Sequence, residues 1–112
     1  MAIADLSSSR LPEVVALDGE IDLHESPAVL EKLNPLISRK LPSIHLDMSR
    51  VSYIDSSGLA AIIDAMQRVQ AYGGEFALFA MRESVRKIFE ISRLDQVFKI
   101  YPGADGASPQ PA

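Results

Sequence analysis

The sequence predicts a single α/β domain with a mixed sheet of four to five strands that is covered mainly on one side by helices. Two observations favour this fold. Short apolar runs alternate with longer segments whose apolar residues recur at helical spacing, a pattern typical of strands joined by crossover helices. The chain has 112 residues, 47% of them hydrophobic and 23% charged, and this length and composition suit one globular domain rather than two.

Two strands are expected before the first helix. Residues 14–17 form an apolar run rich in β-branched side chains, which Asp18 and Gly19 should end. A weaker strand is expected over residues 2–6. The acidic and irregular residues 20–25 should form a loop.

The first helix should begin at Ser26 and Pro27, which resemble an N-cap followed by proline at the first helical position, where the missing N–H costs nothing. Pro35 should kink or weaken this helix. The next strand is expected over residues 43–48. The apolar residues that recur at helical spacing are Val29, Leu33, Leu36 and Ile37.

The second half of the chain again alternates helices with strands. A long apolar helix should end in a left-handed conformation at Gly73 and Gly74. Residues 75–80 are strongly apolar and should form a strand. Ser84 is expected to cap a last helix, which precedes a short strand at residues 97–101.

The order of elements is therefore β-β-α-β-α-β-α-β, which implies right-handed crossovers and a largely parallel sheet. We expect residues 1–101 to form the domain. Residues 102–112 are rich in glycine, proline and small residues, so we expect a disordered C-terminal tail there.

The composition argues against several classes of function. The net charge is −4 and the basic residues are scattered, so no basic stripe for nucleic acid is present. The absence of cysteine removes disulfides, thiolate metal sites and cysteine nucleophiles. No apolar run approaches a membrane span and the N-terminus lacks signal-peptide features, so we expect a soluble cytoplasmic protein that contacts neither nucleic acid nor membrane.

The most informative pattern is VSYIDSSGL at residues 51–59. A strand ends at Ile54, and two hydroxyls and a glycine then open a helix, where free N–H groups and the helix dipole favour an anion. A phosphate on Ser56 would add about −1.5 to −2 charges. Near Asp55 and Asp22 it should repel an acidic partner surface and weaken binding. The simplest alternative is that Asp55 or Ser56 merely caps the helix.

Several spaced motifs closely resemble the anti-anti-sigma family of STAS domains, whose members are anti-sigma factor antagonists. The motifs are LDGEID at residues 17–22, LDMSRVSYIDSSGL at residues 46–59, the glycine pair at 73–74 and VRKIFEISRLDQVFKIY at residues 85–101. The resemblance covers residues 13–101, which is nearly the whole expected domain.

This resemblance implies a binding protein that is not an enzyme. Unphosphorylated family members bind an anti-sigma factor that is also a serine kinase, so that the sigma factor is released. Phosphorylation of the first serine after the motif aspartate ends this binding, and a serine phosphatase reverses the modification. Carried onto this sequence, the acceptor is Ser56, and Asp55 supports its loop. Ser57 is a secondary hydroxyl, Gly58 gives a partner access to the backbone, and Asp22 lines the same end of the sheet.

The partner surface is expected where three loops meet. These loops are residues 19–26, 55–60 and 80–83. Exposed Leu23, Ala60 and Met81 should supply apolar contact there. We expect no cofactor and no metal, and the protein should be a monomer or a weak dimer.

Other hypotheses are weaker or stay open. His24 with Asp22 and Glu25 suggests a metal site, but an exposed polar loop explains these residues better. His45 is expected at the surface, opposite the core face. A serine hydrolase is disfavoured because Ser56 lacks the G-x-S-x-G pattern. Within the resembling family, a transport-complex adaptor that is never phosphorylated and a nucleotide- or small-ligand-binding domain remain alternatives.

Overall fold

The computed structural model describes residues 12–102. The predicted strand at residues 2–6 and the predicted tail beyond residue 102 lie outside the described residues. The elements are β1 (Glu13–Ile21), α1 (Ser26–Ser38), β2 (Ser43–Ile54), α2 (Ser56–Ala71), β3 (Glu75–Phe79), α3 (Glu83–Ile91), a 3-10 turn (Leu94–Gln96) and β4 (Lys99–Tyr101).

The four strands form one sheet in the order β1-β2-β3-β4, and all three pairings are parallel. Because each strand lies beside the next one in the chain, right-handed crossovers bring the helices to the same face. The α/β class, the four strands and the one-sided helices confirm the prediction.

The core fills the space between the sheet and this helical layer. Leu33 of α1, Ile44 and Leu46 of β2, and Ile62 of α2 are all 0% exposed. Their burial removes the apolar stripe of each helix and one face of the sheet from water, which is the main stabilising contribution in such a layered domain. Within residues 12–102, no helix is long and apolar enough to cross a bilayer.

Strand β1 is longer than predicted. It continues through Asp18 and Gly19 to Ile21 instead of ending at Leu17. The register with β2 shifts between Ala16 and Asp18 and again after Gly19, whose φ is +77°. Such bulges let residues typical of a turn remain inside a ladder, because glycine adopts a positive φ without strain.

The helix starts also differ from the prediction. Ser26 is the first residue of α1 and Glu25 is its N-cap; the Ser26 hydroxyl donates to the carbonyl of Leu23 at 3.4 Å. The helix continues past Pro35 to its end at Ser38. Arg82, not Ser84, is the N-cap of α3.

The end of α2 is as predicted. Gly73 has a φ of +85°, and its N–H donates to the carbonyl of Gln70 at 2.9 Å. The N–H of Gly74 donates to the carbonyl of Val69, also at 2.9 Å. These bonds satisfy carbonyls of the last turn and direct the chain into β3.

Strand β2 extends well beyond its neighbour β3. The pairing with β3 stops at Asp47 and Phe79, whereas the pairing with β1 continues to Ile54. Beside the unpaired edge of β2, Arg82 donates from Nε to the carbonyl of Ser49 at 3.0 Å. Residues 48–54 therefore carry the start of α2 past the ends of β3 and β4.

Candidate partner-binding surface

The turn between β2 and α2 places Ser56 at the surface. Asp55 is the N-cap of α2, and its Oδ1 accepts from the N–H of Gly58 at 3.0 Å. Ser56 is the exposed first residue of the helix, and Ser57 is half-buried. Asp55 therefore performs the capping that the sequence left open between two residues, and the Ser56 hydroxyl makes no hydrogen bond within residues 12–102.

The carbonyl oxygen of Ile21 joins this turn to the end of β1. It accepts from the N–H of Asp55 at 3.1 Å. It also lies so close to Gly58 that a β-carbon on that residue would come within 2.4 Å of it. Gly58 is buried, and because it has no side chain the backbone of β1 can pack directly against the start of α2. The predicted access of a partner to the Gly58 backbone has no support from this packing.

Asp22 organises the turn that leads into α1. Its Oδ1 accepts from the N–H groups of His24 at 3.0 Å and Glu25 at 3.1 Å. Its carbonyl accepts from the N–H of Ser26 at 2.8 Å. Because Ile21 and Ile54 are partners in the β1–β2 register, Asp22 and Asp55 lie at the same end of the sheet, as predicted.

The apolar side chains at this end only partly match the prediction. Leu23 is 69% exposed, and Ala60 is also exposed. Met81 is half-buried and packs against the core. Its loop lies beside Ser49 in the middle of β2, so the geometry separates Met81 from the Ser56 turn.

Tyr53 is a surface residue that the sequence reasoning missed. It is 48% exposed and is the β1–β2 partner of Glu20. Its neighbour Ile54 is 1% exposed, so strand alternation turns Tyr53 away from the core. Alternation in the sequence would have placed Tyr53 on the same face as Val51, which is 0% exposed. Only the register shift between β1 and β2 after Val51 shows Tyr53 at the surface.

Carboxylates dominate this end of the molecule. A shallow depression is lined by Asp18, Gly19, Glu20, Asp22, His24 and Glu25. Nearby cations are Arg50, which is the register partner of Asp18, and Lys32, whose Nζ lies 3.5 Å from the carbonyl of Ala16. In the described part of the chain, no group of three or more histidine and carboxylate side chains is arranged to hold a metal ion.

A sequence profile of the STAS domain matches residues 8–107. The chain belongs to the STAS domain family. The anti-sigma-B factor antagonist of Bacillus subtilis (strain 168) is 30% identical to this STAS domain over 92 residues, which are 82% of this chain and 84% of that protein.

Solved structures of SpoIIAA, an anti-sigma factor antagonist, have the same fold as this STAS domain. The unphosphorylated form superposes with a TM-score of 0.69 and 28% identity, covering 81% of this chain and 80% of the other. The phosphorylated form from Bacillus superposes with a TM-score of 0.61 and 27% identity, covering 78% and 79%.

His45 of this STAS domain was predicted at the surface and is instead buried, with 8% of its area exposed. It does point away from the core face, as strand alternation requires. Its ring centroid lies 4.6 Å from that of Phe79, and its Nε2 lies 3.1 Å from the Ser43 hydroxyl. Burial lowers its pKa, while the charge of Glu75 acts in the opposite direction. It lies near the start of β2, remote from Ser56.

Proposed function

We propose that this STAS domain is an anti-sigma factor antagonist. In its unphosphorylated form it binds a cognate anti-sigma factor with serine kinase activity, and the sigma factor is released. Phosphorylation of Ser56 ends the binding, and a serine phosphatase restores it. The domain performs no catalysis in this scheme and acts in the cytoplasm as a monomer or weak dimer. Residues 1–101 form the functional unit, followed by the tail.

The observation that carries this proposal is the exposed Ser56 hydroxyl at the first position of a helix already capped by Asp55. Ser57, by comparison, is half-buried. The family supports the same conclusion, because the similar proteins bear the name anti-sigma factor antagonist and one solved structure is of a phosphorylated form.

The start of α2 can accommodate a phosphate without disturbing the domain. The Asp55 carboxylate takes the N–H of Gly58, which leaves the N–H groups of Ser56 and Ser57 unused within residues 12–102. Free N–H groups and the positive end of the helix dipole stabilise an anion at this position. The effect of the modification is therefore exerted on the partner.

Mass spectrometry tests the proposal directly. The protein is incubated with ATP and lysate of its native host, and its intact mass and peptides are measured. We expect one phosphate on wild type and on the Ser57→Ala variant, and none on Ser56→Ala. No phosphate on any of them, while a known kinase substrate in the same lysate is modified, would favour the constitutive transport-complex adaptor.

Titration calorimetry with nucleotides separates the ligand-binding alternative. We expect no saturable heat with the purified domain. Saturable binding that Ser56→Glu abolishes would instead favour a nucleotide site at the start of α2, because a carboxylate there competes for the same N–H groups.

A further inference from the structure

Two large apolar side chains stand exposed beside the Ser56 turn. Leu23 is 69% exposed and Tyr53 is 48% exposed; we call them the anchor pair. Single exposed apolar residues are common, but a tyrosine inside a polar rim is a frequent centre of a protein interface. A neighbouring leucine adds apolar area that a partner can cover.

Chain geometry places the anchor pair and Ser56 under the footprint of a single partner. Tyr53 lies opposite Glu20 in the β1–β2 pairing, and paired strands are about 5 Å apart. Leu23 follows Glu20 by three residues and Ser56 follows Tyr53 by three, and three residues span at most about 11 Å. Leu23 and Ser56 thus each lie within roughly 16 Å of Tyr53, whereas a standard interface of about 800 Å² per partner is roughly 30 Å across.

The charges around the anchor pair have mainly one sign. Among residues 12–102, the carboxylates at this end are Asp18, Glu20, Asp22, Glu25 and Asp55, and the nearby cations are Arg50, Lys32 and Arg82, which donates to the carbonyl of Ser49. Opposed like charges across an interface cost binding energy, whereas complementary potentials speed association and select the partner. A surface that fits this end of the domain is therefore basic.

We propose that Leu23 and Tyr53 anchor the partner of the unphosphorylated form, and that this partner offers an apolar pocket within a basic rim. This inference rests on the proposed function and names the chemistry of the partner's contact surface. It also changes the expected means of release, because the predicted repulsion of an acidic partner does not fit a basic one. A phosphate on Ser56 ends binding through its volume and its hydration at a contact that fits a serine.

Binding measurements with the purified anti-sigma kinase test the anchor pair. Leu23→Ala and Tyr53→Thr, the second of which keeps a strand-forming residue, should each bind at least tenfold more weakly. Ile91→Ala and Val97→Ala are matched controls, because these residues are 83% and 52% exposed, the first at the C-terminal end of α3 and the second just after the 3-10 turn. The controls should stay within twofold of wild type, and thermal melts verify that every variant is folded.

A second pair of measurements tests the charge and the means of release. Affinity should fall as salt rises from 50 to 300 mM, and Glu20→Gln should weaken binding and flatten that dependence. Glu13→Gln, at the opposite end of β1, should behave like wild type. Ser56→Gln should weaken binding about as strongly as Ser56→Glu, whereas loss with glutamate alone would show that repulsion ends the binding.

The outcomes separate this inference from the proposed function. If the kinase modifies Ser56 but the anchor variants bind as tightly as wild type, the anchor pair is wrong and the proposed function stands. If affinity is insensitive to salt, the basic rim is wrong. If no kinase modifies Ser56, both proposals fall together.

Discussion

The Ile21 carbonyl oxygen is the atom on which the Ser56 turn rests. It accepts the N–H of Asp55 at 3.1 Å and leaves no space for a side chain at Gly58, where a β-carbon would lie 2.4 Å away. The obstructing atom belongs to the backbone of β1 and cannot rotate aside. Gly58 therefore determines how closely α2 can approach the sheet.

The change Gly58→Ala should consequently destabilise the fold by about 2–3 kcal/mol, in the range of overpacked cores. Urea unfolding followed by circular dichroism measures this loss. Gly73→Ala is the control, because its φ of +85° is strained for alanine but nothing lies within 4 Å of the new β-carbon; it should cost about 1 kcal/mol. A loss at Gly58 smaller than at Gly73 would contradict the packing described here.

The Asp55 cap makes a separate prediction. Asp55→Ala should lower the free energy of unfolding by about 1 kcal/mol, because the N–H of Gly58 loses its acceptor. Asp55→Asn keeps an acceptor oxygen and should cost only a few tenths of that. Equal losses in the two variants would show that the negative charge, rather than the hydrogen bond, is what stabilises the helix start.

For individual residues, the local sequence pattern predicted some of the site positions and missed others. Ser56, Asp55 and Leu23 could be found because a strand, a turn and a helix start follow one another along the chain. The packing of Gly58 could not be found, because its neighbour Ile21 is far away in sequence. His45 was misplaced for the same reason: the alternation of β2 gave its direction, but only the assembled sheet supplies the Phe79 ring that covers it.

At the scale of secondary-structure elements, a network of polar side chains connects β2, β3 and β4 on the face of the sheet away from the helices. Lys99 donates from Nζ to Glu75 at 2.6 Å, and the Ser43 hydroxyl reaches Glu75 at 3.5 Å and His45 at 3.1 Å. The hydrogen bond from Lys99 lowers the pKa of Glu75, and the same bond raises the pKa of Lys99. His45 Nδ1 is buried without a partner in the described residues, and this burial lowers the pKa of His45.

This network of polar side chains predicts how the stability of the domain depends on pH. Because the folded pKa of His45 lies below its ordinary value of 6.5, folding favours the neutral ring, and stability is lost as pH falls below about 6.5. The folded pKa of Glu75 is also lowered, from 4.5, so its contribution disappears in a second, more acidic step. The Lys99 contribution is lost only as pH rises above 10.5.

Urea unfolding between pH 3 and pH 8 tests this order. His45→Gln should abolish the step near pH 6 and leave the acidic step in place. Lys99→Met, as the complementary variant, should reduce the acidic step and leave the upper one. His24 is exposed, so His24→Gln serves as the control, and an effect equal to that of His45→Gln would overturn the assignment.

Element boundaries were less predictable than the elements themselves. The apolar periods of α1, α2 and β3 identified those elements because burial imposes the pattern. The acidic residues and Gly19 in β1 are typical of a turn, and only the bulged pairing with β2 keeps them in a strand. Ser26 was mistaken for the cap of α1 because the Asp22 carboxylate, four residues earlier, takes N–H groups of that turn.

Across the whole molecule, Phe98 attaches the last elements to the rest. Its ring lies 5.6 Å from that of Phe89 in α3 and 6.2 Å from that of Phe76 in β3. Strand β4 has only three residues and contributes few ladder bonds of its own. The attachment of α3, the 3-10 turn and β4 to the core therefore depends on this aromatic cluster.

Phe98→Ala should destabilise the domain by about 3–5 kcal/mol, as do other large-to-small changes at buried aromatic sites. Amide exchange should accelerate most in α3 and β4. The neighbour Val97 is 52% exposed, and Val97→Ala should change stability by less than about 0.5 kcal/mol. Uniform acceleration across all strands would show that the C-terminal elements do not open as a unit.

The architecture was accessible from the sequence because alternating elements and chirality leave few arrangements of a parallel sheet. The unequal lengths of β2 and β3 were not accessible. They arise because Arg82 and the start of α3 occupy the edge of β2 beyond Asp47, and no local pattern encodes this contact. For this reason Met81 was expected beside Ser56 and lies apart from it.

The difference in length between β2 and β3 also affects the shape of the surface around Ser56 that another enzyme's catalytic cleft would meet. Because β3 and β4 stop early, the β1–β2 pair and the start of α2 form a corner that projects beyond them. An enzyme that encloses a hydroxyl on several sides can take in a projecting corner, whereas a level rim would keep the same hydroxyl at the mouth of its cleft. Under the function proposed above, the early end of β3 lets a kinase reach Ser56 without any rearrangement of the fold.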